Sequence, residues 1–272
     1  MNFYQVLTAA VDDLTRNGFD DLTRVQLWVK RLREAATRSL IPEHELRERL
    51  ASTLGQTYQR LVESGTILER HPDIGRFTLQ RVKPQLRSEL DRRIAASANL
   101  IRLNREQAIE STLRRFQGWA SSIPAGGTNA VERVKTKTEI RKSLASLPYE
   151  ERRVVIDQTH KLTNSLSNLL ASEGGAIAAV WHSKYRQPGY HFRPDHKDRD
   201  GKIYVIRDNW ALKRGLMKLA GRQYTDQLTM PGEEVFCRCE YQYIYNLGSL
   251  PSDMLTDLGR ESLAEVRRML AS

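Results

Sequence analysis

Cysteine is nearly absent: the 272-residue chain has two, Cys237 and Cys239, separated by one arginine. That excludes a disulfide framework, and a bridge across a single intervening residue would close a strained ring. Long apolar runs are missing too. No stretch reaches the roughly 18 consecutive apolar residues of a membrane-crossing helix. The opening MNFYQVLTAAVDDLTRNG carries Asp12 and Asp13 where a secretory leader needs a basic start and an apolar run. The expectation is a soluble product of the cytoplasm with no membrane partner. Aromatic residues are few, and the tryptophans at 28, 119, 181 and 210 are scattered, which suits core packing better than a base-stacking platform. There is no repeat of fixed period and no low-complexity tract.

What is present suffices for a core, since 40% of the residues are hydrophobic. The net charge is +10, from 43 Lys and Arg against 33 Asp and Glu, and Arg far outnumbers Lys. Most of the excess precedes residue 173. Such a balance is compatible with a polyanionic partner, because phosphate contacts need only clustered cations. The runs RLRE (31–34), RERL (47–50), DRRI (91–94) and EERR (150–153) mix both signs at helical spacing, so they also read as solvated helix faces laced with ion pairs.

Over residues 1–172 apolar side chains recur every three or four positions, as in Phe3, Val6, Leu7 and Ala10, then Val25, Trp28 and Leu32, then Leu86, Leu90 and Ile94. This predicts a region of amphipathic helices. Breaks are expected at Asn17-Gly18, at Ile41-Pro42 and at Gly65. A looser segment, 71–84, leads to a long helix that Pro84 opens and that runs to about Trp119. SSIPAGGTNA (121–130) reads as a flexible connector, followed by helices at 129–145 and 149–172 separated by Leu147-Pro148.

At Glu173-Gly174-Gly175 the character changes. AIAAVWHS (176–183), KIYVI (202–206) and EVFCRCEYQYIY (234–245) read as strands, with a helix at 208–220 between the last two and another at 251–270. The fold class expected is α+β: a helical region over 1–172, then a small domain over 173–272 with an antiparallel sheet and a C-terminal helix. In the alternating third strand Val235, Cys237, Cys239, Tyr241 and Tyr243 share one face, which should be the buried one.

The small domain also holds the polar chemistry. His182, His191 and His196 lie close together upstream of the cysteines. Two thiolates from Cys237 and Cys239 and imidazoles from His191 and His196 make the tetrahedral nitrogen and sulfur set of a structural zinc. Without metal, the cysteines read as small buried packing residues. Arg193, His196 and Arg199 could form an acid-base and phosphate-binding cluster. Equally, Asp195, His196, Asp198 and Asp200 suit the hydrogen bonds of a turn. His182, beside Trp181 in a strand, reads as a packing residue.

The order Trp181, then Arg193-Pro-Asp-His196, then Gly201 before a strand, then Pro231-Gly232 and Cys237-Arg238-Cys239 resembles the C-terminal domain of the phage Mu protein F-like family of minor head, or head-morphogenesis, proteins. The resemblance covers about residues 180 to 245. It implies a minor capsid protein of a tailed bacteriophage, assembled in the host cytoplasm and then carried in the virion at the portal vertex or head interior. Portal protein, major capsid protein and genomic double-stranded DNA, bound without sequence preference, would be its partners, and several copies per virion are compatible with it. The role is structural, with no cofactor or one zinc. The alternative is a nuclease-like, phosphate-handling enzyme domain on a helical adaptor. Relatives carry a further cysteine near the Arg-x-x-His segment, and this chain has none.

Overall fold

The computed structural model describes residues 1–271. Five helices come first. α1 (Phe3–Asn17) is opened by a reciprocal cap between Asn2 and Gln5 and closed by Gly18 at φ +76°. α2 (Leu22–Arg38) starts where Asp21 accepts from the Thr23 amide. α3 (Glu43–Tyr58) runs into a π-turn over Gln59–Glu63 and stops at Gly65, which is left-handed at φ +81°. α4 (Arg76–Ala120) and α5 (Arg133–Glu173) are the long ones, with 45 and 41 residues.

Two expected helix boundaries do not exist. Pro84 lies inside α4 and Pro148 inside α5. A proline removes one intrahelical hydrogen bond and normally bends or ends a helix. Both rings here are exposed, so water can serve the carbonyls they leave unbonded, while the buried stripes run past them: Leu79, Val82, Leu86 and Leu90 in α4, Ile140, Leu147 and Val154 in α5. The connector is correctly placed between α4 and α5 but is pinned to α1. Thr128 donates its amide to the Thr15 carbonyl at 2.9 Å, and a Cβ at Gly127 would meet the Thr15 and Arg16 carbonyls at 2.5 Å.

The mixed region that follows contains β1 (Ala178–His182), α6 (Pro194–Asp198), β2 (Ile203–Val205), α7 (Trp210–Lys213), β3 (Glu240–Ile244) and α8 (Asp257–Ala271). The strands form an antiparallel sheet in the order β2-β1-β3, with Ala179 opposite both Tyr204 and Tyr243, and Trp181 opposite Tyr241. The fold is therefore α+β, helical first and with a C-terminal helix. α7 is much shorter than expected, because Gly215 at φ +68° turns the chain toward the bridge between Met217 and Leu255.

By contacts the chain makes two compact units: residues 1–51 with 94–155, and residues 52–93 with 156 onward. The composition change at 173 instead marks the end of α5. In the first unit the core joins α1, α2 and the ends of α4 and α5 through Leu7, Val11, Leu14, Leu32, Leu113 and Phe116. In the second, period-two alternation gives the sheet two buried faces. One carries Ala178, Val205 and Ile244 against Ala211, Met217 and Met254. The other carries Trp181, Tyr204 and Tyr241 against Cys237 and Cys239.

Candidate metal centre

Both cysteines are buried and reduced, but they are not on a strand. β3 begins at Glu240, and residues 231–239 form a turn and loop. Alternation fails because Phe236 is left-handed at φ +60°, and Val235, assigned above to the buried face, is exposed instead. A phenylalanine in that conformation is strained and must be held by its surroundings. Asp157 Oδ1 accepts from its amide at 2.6 Å, and the Tyr190 hydroxyl donates to its carbonyl at 3.3 Å. The same hydroxyl accepts from the Arg238 amide at 3.1 Å, and the Arg238 guanidinium lies over the Tyr190 ring.

Helix α5 supplies the rest of the clamp. Lys161 pairs with Asp157 and donates to the Glu233 carbonyl at 2.9 Å. Asn164 donates to the Cys239 carbonyl at 3.1 Å. Gly232, at φ +85°, passes so close to Asn164 that a Cβ would sit 2.4 Å from its amide nitrogen, so the Pro-Gly turn needs this glycine. Asp157, Lys161 and Asn164 escaped the sequence reading. Their only signal was a polar spacing of i, i+4 and i+7, which Gln158, Thr159, His160, Thr163, Ser165 and Asn168 around them obscure.

The loop brings three ligand atoms together. His196, on α6, is 1% exposed, and its Nδ1 lies 3.5 Å from Cys237 Sγ and 3.6 Å from Cys239 Sγ. These three donor atoms all lie within 4.8 Å of one another. The Gly232 amide donates to Cys237 Sγ at 3.4 Å. The Ser183 hydroxyl, otherwise buried without a partner, lies close enough to Cys239 to favour its thiolate. The bond from the Cys239 thiol is the largest influence bringing Cys237 down to about 5, with the Gly232 amide assisting against burial. That contact and burial push Cys239 up. The pair thus shares one proton between two sulfurs.

Two thiols and one imidazole converging on a point suit a thiophilic divalent ion, and zinc above the harder cations. His191, assigned to the same set above, is exposed and is not part of the cluster. His182, read above as a packing residue, is partly buried, its Nε2 3.0 Å from Gln242 Oε1.

The other signature residues close around the same point. Trp181 meets His196 edge to face at 5.3 Å, and Gly201, at φ +74°, donates its amide to the Trp181 carbonyl at 2.8 Å. Arg193 Nε pairs with Glu234 at 2.6 Å. Arg199 pairs with Asp195 at 2.7 Å and lies over the Trp181 ring. An acid-base and phosphate cluster needs an imidazole and guanidiniums facing an open cleft. Here the imidazole is buried and both guanidiniums are neutralised. A cavity of about 830 Å³ beside β1 and β3 is lined by His182, Lys184, Arg186 and Glu240 among others, and by none of Arg193, His196 and Arg199.

Comparison with protein-family models, with curated proteins and with solved structures finds no match to this chain. Among the described residues no helix is long and apolar enough to cross a membrane.

Proposed function

We propose that this chain is a minor capsid, or head-morphogenesis, protein of a tailed bacteriophage, a structural component at the portal vertex or capsid interior. One structural zinc on His196, Cys237 and Cys239 would hold its C-terminal module. The observation that carries the reading is that the residues of the resemblance meet around one buried knot. Trp181, His196, Gly232, Cys237 and Cys239 are buried and joined by ring contacts, sulfur contacts and a backbone hydrogen bond, and the exposed Gly201 is tied to them through its amide, as a structural signature requires and a catalytic cleft does not.

The zinc would supply a rigid cross-link between α6 and the loop before β3, with Ser183 Oγ a further oxygen donor beside Cys239. Genomic DNA is the polyanion that fits the cationic helices. Lys137 and Arg141 at the start of α5 both lie over the exposed Tyr4 ring, at 5.3 Å. Contacts of this kind are sequence-independent and weaken as salt rises.

Mass spectrometry of purified virions tests the reading. The expected result is this chain in every particle, at a few copies relative to the major capsid protein. Its absence from particles that package DNA normally would overturn it.

A further inference from the structure

The His196 imidazole presents Nδ1 to the sulfurs. Its Nε2 points the other way, 3.4 Å from Glu234 Oε1. Glu234 is itself held from two sides, by Arg193 Nε on Oε2 at 2.6 Å and by the Thr229 hydroxyl on Oε1 at 3.2 Å. Arg193 also donates to the Val235 carbonyl at 3.1 Å, which fixes the fork relative to the loop. The competing carboxylate, Asp195, lies farther from Nε2, at 3.8 Å, and is engaged by Arg199 at 2.7 Å.

We infer that Glu234 is the positioning residue of the metal centre. It accepts the Nε2 proton of His196 and so holds the tautomer whose Nδ1 lone pair faces Cys237 and Cys239. A ring nitrogen can bind a metal only through a free lone pair, and the hydrogen bond at the other nitrogen decides which one is free. An ionised acceptor makes the ligand nitrogen more basic as well, and loss of such a partner typically weakens metal binding about 10–100-fold. Thr229, Glu234 and Arg193 thus act through His196 and touch no ligand atom facing the metal.

This inference rests on the zinc reading. Zinc-loaded full-length protein is examined by proton NMR for the His196 Nε2–H, and zinc affinity is measured by competition with a chromophoric chelator. The expected results are a slowly exchanging Nε2–H in the parent that exchanges fast in Glu234→Ala, and zinc binding weakened about 10–100-fold in that variant. Glu234→Gln, whose amide oxygen still accepts the proton, should keep the slow exchange and lose less affinity, and Asp195→Asn should change affinity less than about 2-fold. A fast-exchanging Nε2–H in the parent, or affinity in Glu234→Ala within 2-fold of the parent, would overturn the assignment. If Glu234→Ala does not fold, the parent's Nε2–H and the Glu234→Gln affinity decide. If the parent takes up no zinc, the metal reading fails and the assignment with it, whereas zinc uptake that Glu234→Ala leaves unchanged defeats the assignment alone.

Discussion

The backbone amide of Phe236 donates to the carboxylate of Asp157 at 2.6 Å, tying the cysteine loop to helix α5 across 79 residues of sequence. Asp157 is 5% exposed and also pairs with Lys161 at 3.3 Å. Its removal takes the acceptor from the part-buried Phe236 amide and the counter-charge from a largely buried ammonium, which keeps only the Glu233 carbonyl named above. Asp157→Ala should therefore destabilise the second unit by about 1–3 kcal/mol, read as a fall in melting temperature. A variant that melts with the parent would show that the Asp157 bond is not what holds the left-handed Phe236.

Changing both Cys237 and Cys239 to serine should lower the stability of the second unit before that of the first. Each packed sulfur exchanged for a hydroxyl costs on the order of 1–3 kcal/mol, and more where a metal ligand is lost. Two transitions in a thermal melt, the earlier one displaced in the variant, are the expected outcome. A chelator should reproduce that displacement in the parent if zinc is bound. Unchanged melting in the double variant would remove any structural role for the Cys-Arg-Cys stretch.

The metal-free protein should ionise one thiol far below the ordinary range. Thiolate absorbance should rise with an apparent pKa of about 5, to one thiolate per chain, because Cys239 donates to Cys237 and the Gly232 amide adds to it. The second thiol stays protonated through ordinary alkaline pH, since the same contact pushes Cys239 up. Cys237→Ser should abolish the step near pH 5. A parent whose two thiols both ionise near 9 would refute the shared proton.

A second titration lies at His71, 1% exposed and bonded through Nδ1 to the Tyr245 hydroxyl. Burial, with Arg70 nearby, lowers it to about 4. The unfolded chain binds this proton near 6.5, so between 6.5 and 4 it holds more protons than the folded chain, and stability falls as pH falls through that window. The full effect is on the order of 3 kcal/mol. His160, lowered first by burial and then by Arg238, adds in the same direction. Urea unfolding at pH 7.5 and 5 should show about 2 kcal/mol of that loss in the parent, and much less in His71→Gln. Equal losses in both proteins would place the effect elsewhere.

The sequence by itself determined the helical region, the first two strands and the candidates among which the three ligand residues of the centre are found. These follow from local rules: apolar spacing of three to four, caps at Asn2 and Asp21, and glycines where the chain must turn. Local rules failed where the deciding partner is distant. Pro84 and Pro148 read as helix ends, and only the packing on the far side of each helix showed that their unbonded carbonyls face water. The cysteines read as alternate residues of a strand. Asp157 and Tyr190, remote in sequence, hold Phe236 left-handed and turn both thiols toward His196. His191 and His196 were equivalent as letters five residues apart; tertiary structure buried one under Trp181 and left the other in water, because a ligand set is fixed by distances between side chains and not by their spacing along the chain.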